Sequence, residues 1–335
     1  MEEKIYIFNQ IVLASRPKKK VSLENFRLEK KIIDQIYDGQ ILIKNHYLSL
    51  DPYMRLRMME KKSYAQPQLI DEVMIGGTVG EVIISRHEDF KKGDMVVGML
   101  GWSEMAISDG NFLRKIYINE IPLSAYLGVI GMPGITAWYG LTKILSPRAR
   151  ETLVVTSASG AVGSIVGQLA KIKGCKVIGI AGSDEKCEYI KKTLNFDISI
   201  NYKKDDLNKA ILDSAPEGID CLFENVGGQI FDTLLKNMKP YGRIAICGLI
   251  SEYDNDIQPI YNLRNVLTMK LSIQGFIITD HMKVWGEGIN ILTNHILCKN
   301  LKYKETVING LNNAPEAFIG LLYGKNFGKQ LVKLI

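Results

Sequence analysis

The chain has 335 residues, of which 46% are hydrophobic and 23% charged, and its net charge is +6. That length allows two domains and a large core, and the balance excludes a disordered chain. The positive excess is spread out; the only dense run, Arg16-Pro17-Lys18-Lys19-Lys20, lacks interleaved aromatics and reads as a solvated loop, which leaves nucleic-acid binding with little support.

The first residues, Met1-Glu2-Glu3-Lys4, lead into an apolar strand, not a secretory leader. No apolar run is long enough to cross a bilayer. Cys175, Cys187, Cys221, Cys247 and Cys298 show no C-x-x-C spacing. Three of them fall in predicted strands, where a thiol packs as a small hydrophobe. A reducing compartment, the cytoplasm, is the expected location.

In chain order, residues 5–13 predict an opening strand, and 40–47 another. Asp51-Pro52 signals a helix start, with Tyr53 at its opening. Taken alone, Tyr53 reads as an amphipathic surface tyrosine. Residues 75–84, the turn and strand at 93–98, and 102–107 add short strands divided by turn residues. Such a series suggests a small β-rich, barrel-like domain. Residues 131–145 change the texture to helical, and a domain boundary is expected just before them.

From residue 152 strands and helices alternate. Strands are expected at 153–157, 175–181, 198–201, 219–224, 243–248 and 271–278, and helices at 161–173, 184–194, 205–214, 228–238 and 261–269. This pattern predicts a doubly wound α/β parallel sheet of order 3-2-1-4-5-6. A long helix near 281–298 leads out, and 303–309, a helix near 314–323 and 329–334 return to the first domain. The expected division is therefore 1–128 completed by 302–335, with 129–301 between.

The stretch 152–186 organises this half. Leu153-Val154-Val155 is a buried strand, followed by Ala158-Ser159-Gly160-Ala161-Val162-Gly163. This is a dinucleotide fingerprint with alanine in the first glycine position. Gly160 lets backbone approach a pyrophosphate, Gly163 lets the helix lie close on the strand, and the amides at the helix start face the phosphate charge. Ile165, Val166, Leu169, Ala170 and Ile172 form the helix's apolar stripe, and Gly174 is placed to end it. The second strand ends in Gly182-Ser183 where an NAD site usually has an acid. The small residues leave room for a 2′-phosphate, with Lys186 one turn on and Tyr202 and Lys203 after the next strand. NADP is favoured over NAD, although Asp184 and Glu185 complicate the reading.

Further strand ends carry Glu224-Asn225-Val226-Gly227-Gly228, Cys247-Gly248-Leu249-Ile250-Ser251 and Phe276-Ile277-Ile278. Ligands of such sheets bind beyond these ends. The four histidines, His46, His87, His281 and His295, have no cysteine at ligand spacing, so no zinc site is expected.

Together with LSLDPYMRLRM at 48–58, GMPGITAWYGL at 131–141, ASGAVGSIVGQLAKIKGCKVIGIAGSDEK at 158–186, FENVGG at 223–228, ICGLISEY at 246–253, QGFII at 274–278 and GKNFGKQLVK at 324–333, these residues resemble the zinc-independent medium-chain dehydrogenase/reductases. The resemblance is to the branch of prostaglandin, alkenal double-bond and curcumin reductases. It implies a GroES-like β-rich catalytic domain, a Rossmann domain and NADPH. Carried over by position, it puts pyrophosphate on Gly160, Ala161, Val162 and Gly163, and the 2′-phosphate on Lys186 and Tyr202. Asn225, Cys247, Gly248, Ile250, Ser251, Tyr253, Phe276, Ile277, Ile278 and Asn326 would surround the rest. Thr268 stands where several members carry a pocket tyrosine.

The activity implied is reduction of the C=C bond of α,β-unsaturated aldehydes or ketones, with Tyr53 as candidate hydrogen-bond donor in the substrate pocket. A quinone reductase with the same cofactor site is an alternative, and a non-catalytic nucleic-acid binder is another. The apolar strand at 271–278, at the sheet edge in the proposed order, implies a homodimer.

Overall fold

The computed structural model describes residues 5–60, 63–117 and 120–335; Met1 to Lys4, on which the reading of no leader rests, lie outside the described residues. The chain forms two compact units, one of residues 1–127, 305–326 and 330–335, the other of 128–304 and 327–329.

The first unit opens with β1 (Tyr6–Leu13) and β2 (Phe26–Ile33), an antiparallel pair with Tyr6 opposite Ile33 and Leu13 opposite Phe26. β3 (Ile41–Ser49), the short helix α1 (Tyr53–Arg57), β4 (Thr78–Ser85), β5 (Met95–Gly98), β6 (Met105–Ser108) and β7 (Arg114–Lys115) follow. Pro52 precedes α1, where its missing N–H is no loss. Trp102 is fully buried in this unit's core; Phe26 stacks on it at 5.4 Å and Phe318 meets it edge-on at 5.7 Å.

The second unit begins with α2 (Met132–Tyr139) and alternates from β8 (Thr152–Val155) through α3 (Gly163–Ile172), β9 (Lys176–Ala181), α4 (Asp184–Glu188), β10 (Ile198–Asn201), α5 (Leu207–Ser214), β11 (Ile219–Glu224) and α6 (Gly228–Lys236). β12 (Met238–Ile246), α7 (Ile250–Tyr253), α8 (Arg264–Thr268), β13 (Ser272–Gly275) and α9 (Trp285–Leu297) complete it. All neighbours in the sheet are parallel, in the order β10-β9-β8-β11-β12-β13. This is the doubly wound order expected from the alternation. β8 is buried throughout, as a central strand covered on both faces must be. Finally β14 (Glu305–Asn309), α10 (Ala314–Leu322) and β15 (Lys329–Lys333) complete the first unit's sheet, ordered β14-β15-β3-β4-β5-β7 with β6 on β3.

Several boundaries differ from the sequence expectation. The helix expected at 161–173 starts at Gly163, because Ala161 and Val162 complete the turn. Of its stripe, Ile165, Val166, Leu169 and Ala170 are buried but Ile172 is exposed. The expected helix at 261–269 is confined to α8, since the N–H groups of Tyr261 and Asn262 both donate to Asp232 Oδ1 at 2.8 Å. Strand six is four residues, not 271–278. Phe276 leaves the sheet because its ring turns inward, 5.6 Å from the Tyr139 ring and 6.3 Å from that of Phe223. The long helix near 281–298 is a 3-10 turn, Ile278–Val284, before α9. The bend falls at His281, which stacks on Tyr139 at 4.4 Å with Nδ1 3.2 Å from its hydroxyl.

Gly163 sets the height of α3 above β8: a Cβ there would lie 2.4 Å from the Ser157 carbonyl oxygen and 3.0 Å from Ala158 Cα. Both obstacles are backbone, so neither can swing away. Gly163→Ala is expected to lower stability by about 1–3 kcal/mol, the usual cost of overpacking. A thermal melt checks this; an unchanged midpoint would mean that α3 is free to lift.

Candidate cofactor and substrate site

The fingerprint turn begins one residue before the sequence motif. Ser157 takes φ 51°, a left-handed conformation, so the turn does not need glycine at position 158, and Ala158 is fully buried. Gly160 N donates to Ser157 O at 2.9 Å and Ser164 N to Gly160 O at 3.1 Å. Gly160, Ala161 and Val162 remain half-buried, with the first turn of α3 behind them. A second strand of backbone seals this turn: Gly328 N donates to Ser159 O at 3.1 Å, and Gly328 bridges Gly160. Gly328 has φ 71°, and a Cβ there would meet the Lys304 carbonyl oxygen at 1.9 Å. Phe327 beside it takes Lys304 Nζ at 3.8 Å over its ring and meets Tyr189 edge-on at 4.9 Å.

At the end of β9, Ser183 caps α4, its hydroxyl accepting from Lys186 N at 3.3 Å. The Tyr202 ring and the Lys203 stem lie over Gly182, whose Cβ position would be 3.1 Å from Tyr202 Cε1 and 3.5 Å from Lys203 Cε. Lys186 is held below the usual lysine range, first by burial and next by the like charge of Lys203. Two lysines close enough for one to lower the pKa of the other are the side chains here that suit an anion. Of the two acids that complicate the sequence reading, Asp184 is occupied, Asn201 Nδ2 donating to its Oδ1 at 2.6 Å and Lys204 pairing with Oδ2, while Glu185 acts on Lys186.

The ends of β11 and β12 are tied together. Asn225 N donates to the Thr156 hydroxyl, and Asn225 Nδ2 to Thr156 O, both at 2.8 Å. Ile250 N donates to Asn225 O at 3.2 Å; Ser251 N and Oγ donate to Val226 O at 2.9 and 2.6 Å. Leu249 N donates to the Tyr253 hydroxyl at 3.3 Å, and Gly248 leaves room for that hydroxyl, 3.2 Å from its Cβ position. Cys247 follows β12, its thiol pushed up to about 12 by burial and then by Glu224. Phe276 brings only backbone toward the strand ends, since its ring is in the core; Ile277 is half-buried and Ile278 buried. Thr268 is exposed on α8, its hydroxyl turned to Arg264 O at 3.4 Å.

Asn326 and Tyr53 belong to the first unit. Tyr53 opens α1 and packs on the Trp102 core, so it is not a surface tyrosine; its hydroxyl is buried with no hydrogen-bond partner among the described residues. Its pKa is raised far above the ordinary phenol range, first by burial, then by Asp51 and Tyr64, with Arg57 opposing. Asp51 accepts from the Ser49 hydroxyl. Sequence reasoning passed over Tyr64 and Arg57. Arg57 Nε is likewise buried without a partner among the described residues, and it acts on both phenols. The spacing Tyr53-Arg57 is one helical turn and carried the signal for Arg57; Tyr64 follows in an irregular segment that no periodicity marks.

A family model described as the N-terminal domain of oxidoreductase matches residues 9–116, and one described as zinc-binding dehydrogenase matches 161–294. Among the described residues, no group of three or more His, Cys, Asp or Glu side chains is placed to hold a metal ion. The chain is 43% identical to the NADPH-dependent curcumin reductase of Escherichia coli over 96% of both chains. It is 41% identical to the NADP(+)-dependent 2-alkenal reductase of Nicotiana tabacum, over 93% of this chain and 92% of that one. The crystal structure of CurA from Vibrio vulnificus in complex with NADPH superposes with a TM-score of 0.93 at 45% identity, covering 98% of this chain and 99% of that one. Sequence, sheet order and strand-end geometry agree: the chain belongs to the medium-chain dehydrogenase/reductases, in the zinc-independent branch of the curcumin, alkenal and prostaglandin reductases.

Proposed function

We propose that the protein is an NADPH-dependent reductase of the C=C bond of α,β-unsaturated aldehydes and ketones. The cofactor is NADP: the backbone cradle at Gly160–Gly163 admits a pyrophosphate, and Lys186, Lys203 and Tyr202 suit a 2′-phosphate. Asn225, the 247–253 segment, the backbone at 276–278 and Asn326 are the candidates for the remaining contacts. When bound, NADPH supplies a hydride for the β-carbon.

The observation that carries the enone reading is the Tyr53 hydroxyl, buried, protonated at neutral pH and without an acceptor in its own unit among the described residues. As hydride reaches the β-carbon, negative charge moves to the carbonyl oxygen. A donor aimed there binds the transition state more strongly than the substrate. Tyr53 is assigned that role. A phenol held this far above its ordinary range is a poor acid, so the α-carbon takes its proton from solvent. The enone substrates in the names of the relatives support this class, whereas the individual substrate is for a screen to decide.

A homodimer and a cytoplasmic setting complete the proposal. β13 is the sheet's edge strand, exposed along its length, and Ile257, Tyr261, Leu263 and Leu267 in the preceding segment are also exposed. An uncovered edge beside apolar side chains favours pairing with a second copy. The five cysteines are all free, which suits a reducing compartment.

Lys186→Ala should raise the KM for NADPH about tenfold or more, an ion-pair-sized loss of roughly 1.4 kcal/mol, with NADH kinetics little changed. Equal losses with both cofactors would remove Lys186 from phosphate recognition. Tyr53→Phe keeps the ring but deletes the donor; turnover on enones should fall roughly ten- to a hundredfold with NADPH affinity intact, below the usual loss for an oxyanion donor because a ribose hydroxyl of bound NADPH would share the role. Full turnover of the variant would leave Tyr53 as a pocket wall. In a screen of NADPH oxidation, rates on enals and enones should exceed those on quinones, and the opposite ranking would overturn the substrate class. Light scattering at micromolar concentration should give a dimer mass; a monomer would leave the β13 edge without its proposed cover.

A further inference from the structure

Glu224 ends β11 with its side chain fully buried. Its Oε1 accepts from the Thr156 hydroxyl at 3.0 Å, from Val226 N at 2.5 Å and from Gly227 N at 2.8 Å. Its carbonyl oxygen accepts from Cys247 N at 2.9 Å and Gly248 N at 3.3 Å. The Thr156 hydroxyl in turn receives Asn225 N. One residue thereby joins the end of β8, the 225–228 loop and the start of the 247–253 segment. A second feature is asymmetric: Oε2 is buried and has no donor among the described residues. The titratable group that interacts with the carboxyl is the Cys247 thiol, with its pKa raised; the Glu252 carboxyl lies on the other side of Gly227, its Oε1 3.4 Å from that glycine's Cβ position. Neither is a cation.

We propose that Glu224 is a positioning residue for the cofactor, and that taking up a proton on Oε2 loosens the 225–228 and 247–253 segments. This rests on the reading of these segments as cofactor-binding. Bonds from backbone N–H to a carboxylate are charge-assisted and stronger than those to a neutral carboxyl. The only oxygen without donors is the one that takes the proton, so protonation turns Oε1 from a charged acceptor into a carbonyl. Burial pushes the carboxyl up to about 7 against the pull of its hydrogen bonds, which puts the change near neutral pH. The sign follows: above about 7 the carboxylate holds the 225–228 loop, whose Asn225 and Val226 carbonyls in turn hold Ile250 and Ser251, and as pH falls through 7 the hold weakens. Glutamine keeps the shape and an acceptor at Oε1 but does not titrate.

The test has two arms. Amide hydrogen exchange on the cofactor-free protein, corrected for intrinsic pH dependence, should show protection of Val226 and Gly227 rising between pH 6 and 8, with a smaller rise at Ile250 and Ser251, which bond the same loop. Glu224→Gln should show no such step. NADPH affinity, measured by fluorescence titration, should weaken about three- to tenfold more from pH 8 to pH 6 in the parent than in Glu224→Gln. The cofactor's own phosphate titrates in both proteins and cancels in the comparison. A flat exchange profile in the parent overturns the proposal without reference to any variant, even if Glu224→Gln does not fold. Equal pH dependence of affinity in both proteins, or tightening at low pH in the parent alone, also overturns it. A parent that never binds NADPH would instead sink the cofactor reading, and the exchange arm would still decide the role of Glu224 in these segments.

Discussion

The cofactor half of this protein depends on one close approach, the backbone of Gly163 against the carbonyl of Ser157. With no side chain between them, the start of α3 reaches the end of β8, and the amides of its first turn are left near the place where a phosphate would sit. The left-handed conformation needed to enter the turn is carried by Ser157, one residue ahead of the motif. That displacement explains why alanine is accepted where a glycine is customary. Ala158 is not a relaxed copy of the glycine but a core residue, 2.9 Å by its Cβ from the Cβ position of Gly179 on the adjoining strand.

Charge is distributed around this approach with the same economy. Asp184 and Glu185 open a helix, where acids suit the dipole, and Asp184 is also drawn aside by Asn201 and Lys204. Lys186 is left half-buried beside the like charge of Lys203, with Glu185 opposing the shift. In the other unit the Tyr53 phenol is neutral and buried, with Asp51 and Arg57 acting on it in opposite directions. The division matches the proposed chemistry, in which the cofactor brings much negative charge and the substrate develops it briefly.

Much of this was legible from residue order. Apolar runs and crossover helices predicted the sheet order, because a strand buried on both faces leaves an uninterrupted signature. What escaped were features made by contacts distant in sequence. Phe276 reads as the end of a strand, yet its ring is drawn into a cluster with Tyr139 and Phe223. Glu224 reads as turn chemistry: two of its donors, Val226 N and Gly227 N, are local, and only the Thr156 hydroxyl comes from a distant strand end. Tyr64 was missed because it lies in an irregular segment with no period to detect, whereas Arg57 had a signal, one helical turn from Tyr53. Tyr53 was named from its helix opening, while its burial came from core packing that the local pattern does not show.

The crossing at Gly328 bears on how the molecule is made. The segment 327–329 belongs to the dinucleotide-binding unit although most of the chain around it belongs to the other. Its backbone bond to Ser159 closes the 157–163 turn from outside, and Phe327 fastens it through Lys304 and Tyr189. Neither unit is therefore a continuous piece of sequence. During synthesis the central sheet can assemble early, because its strands are consecutive. The turn at 157–163 remains unfinished until residues 327–329 have left the ribosome, so a product truncated before them would contain the sheet but lack the completed turn.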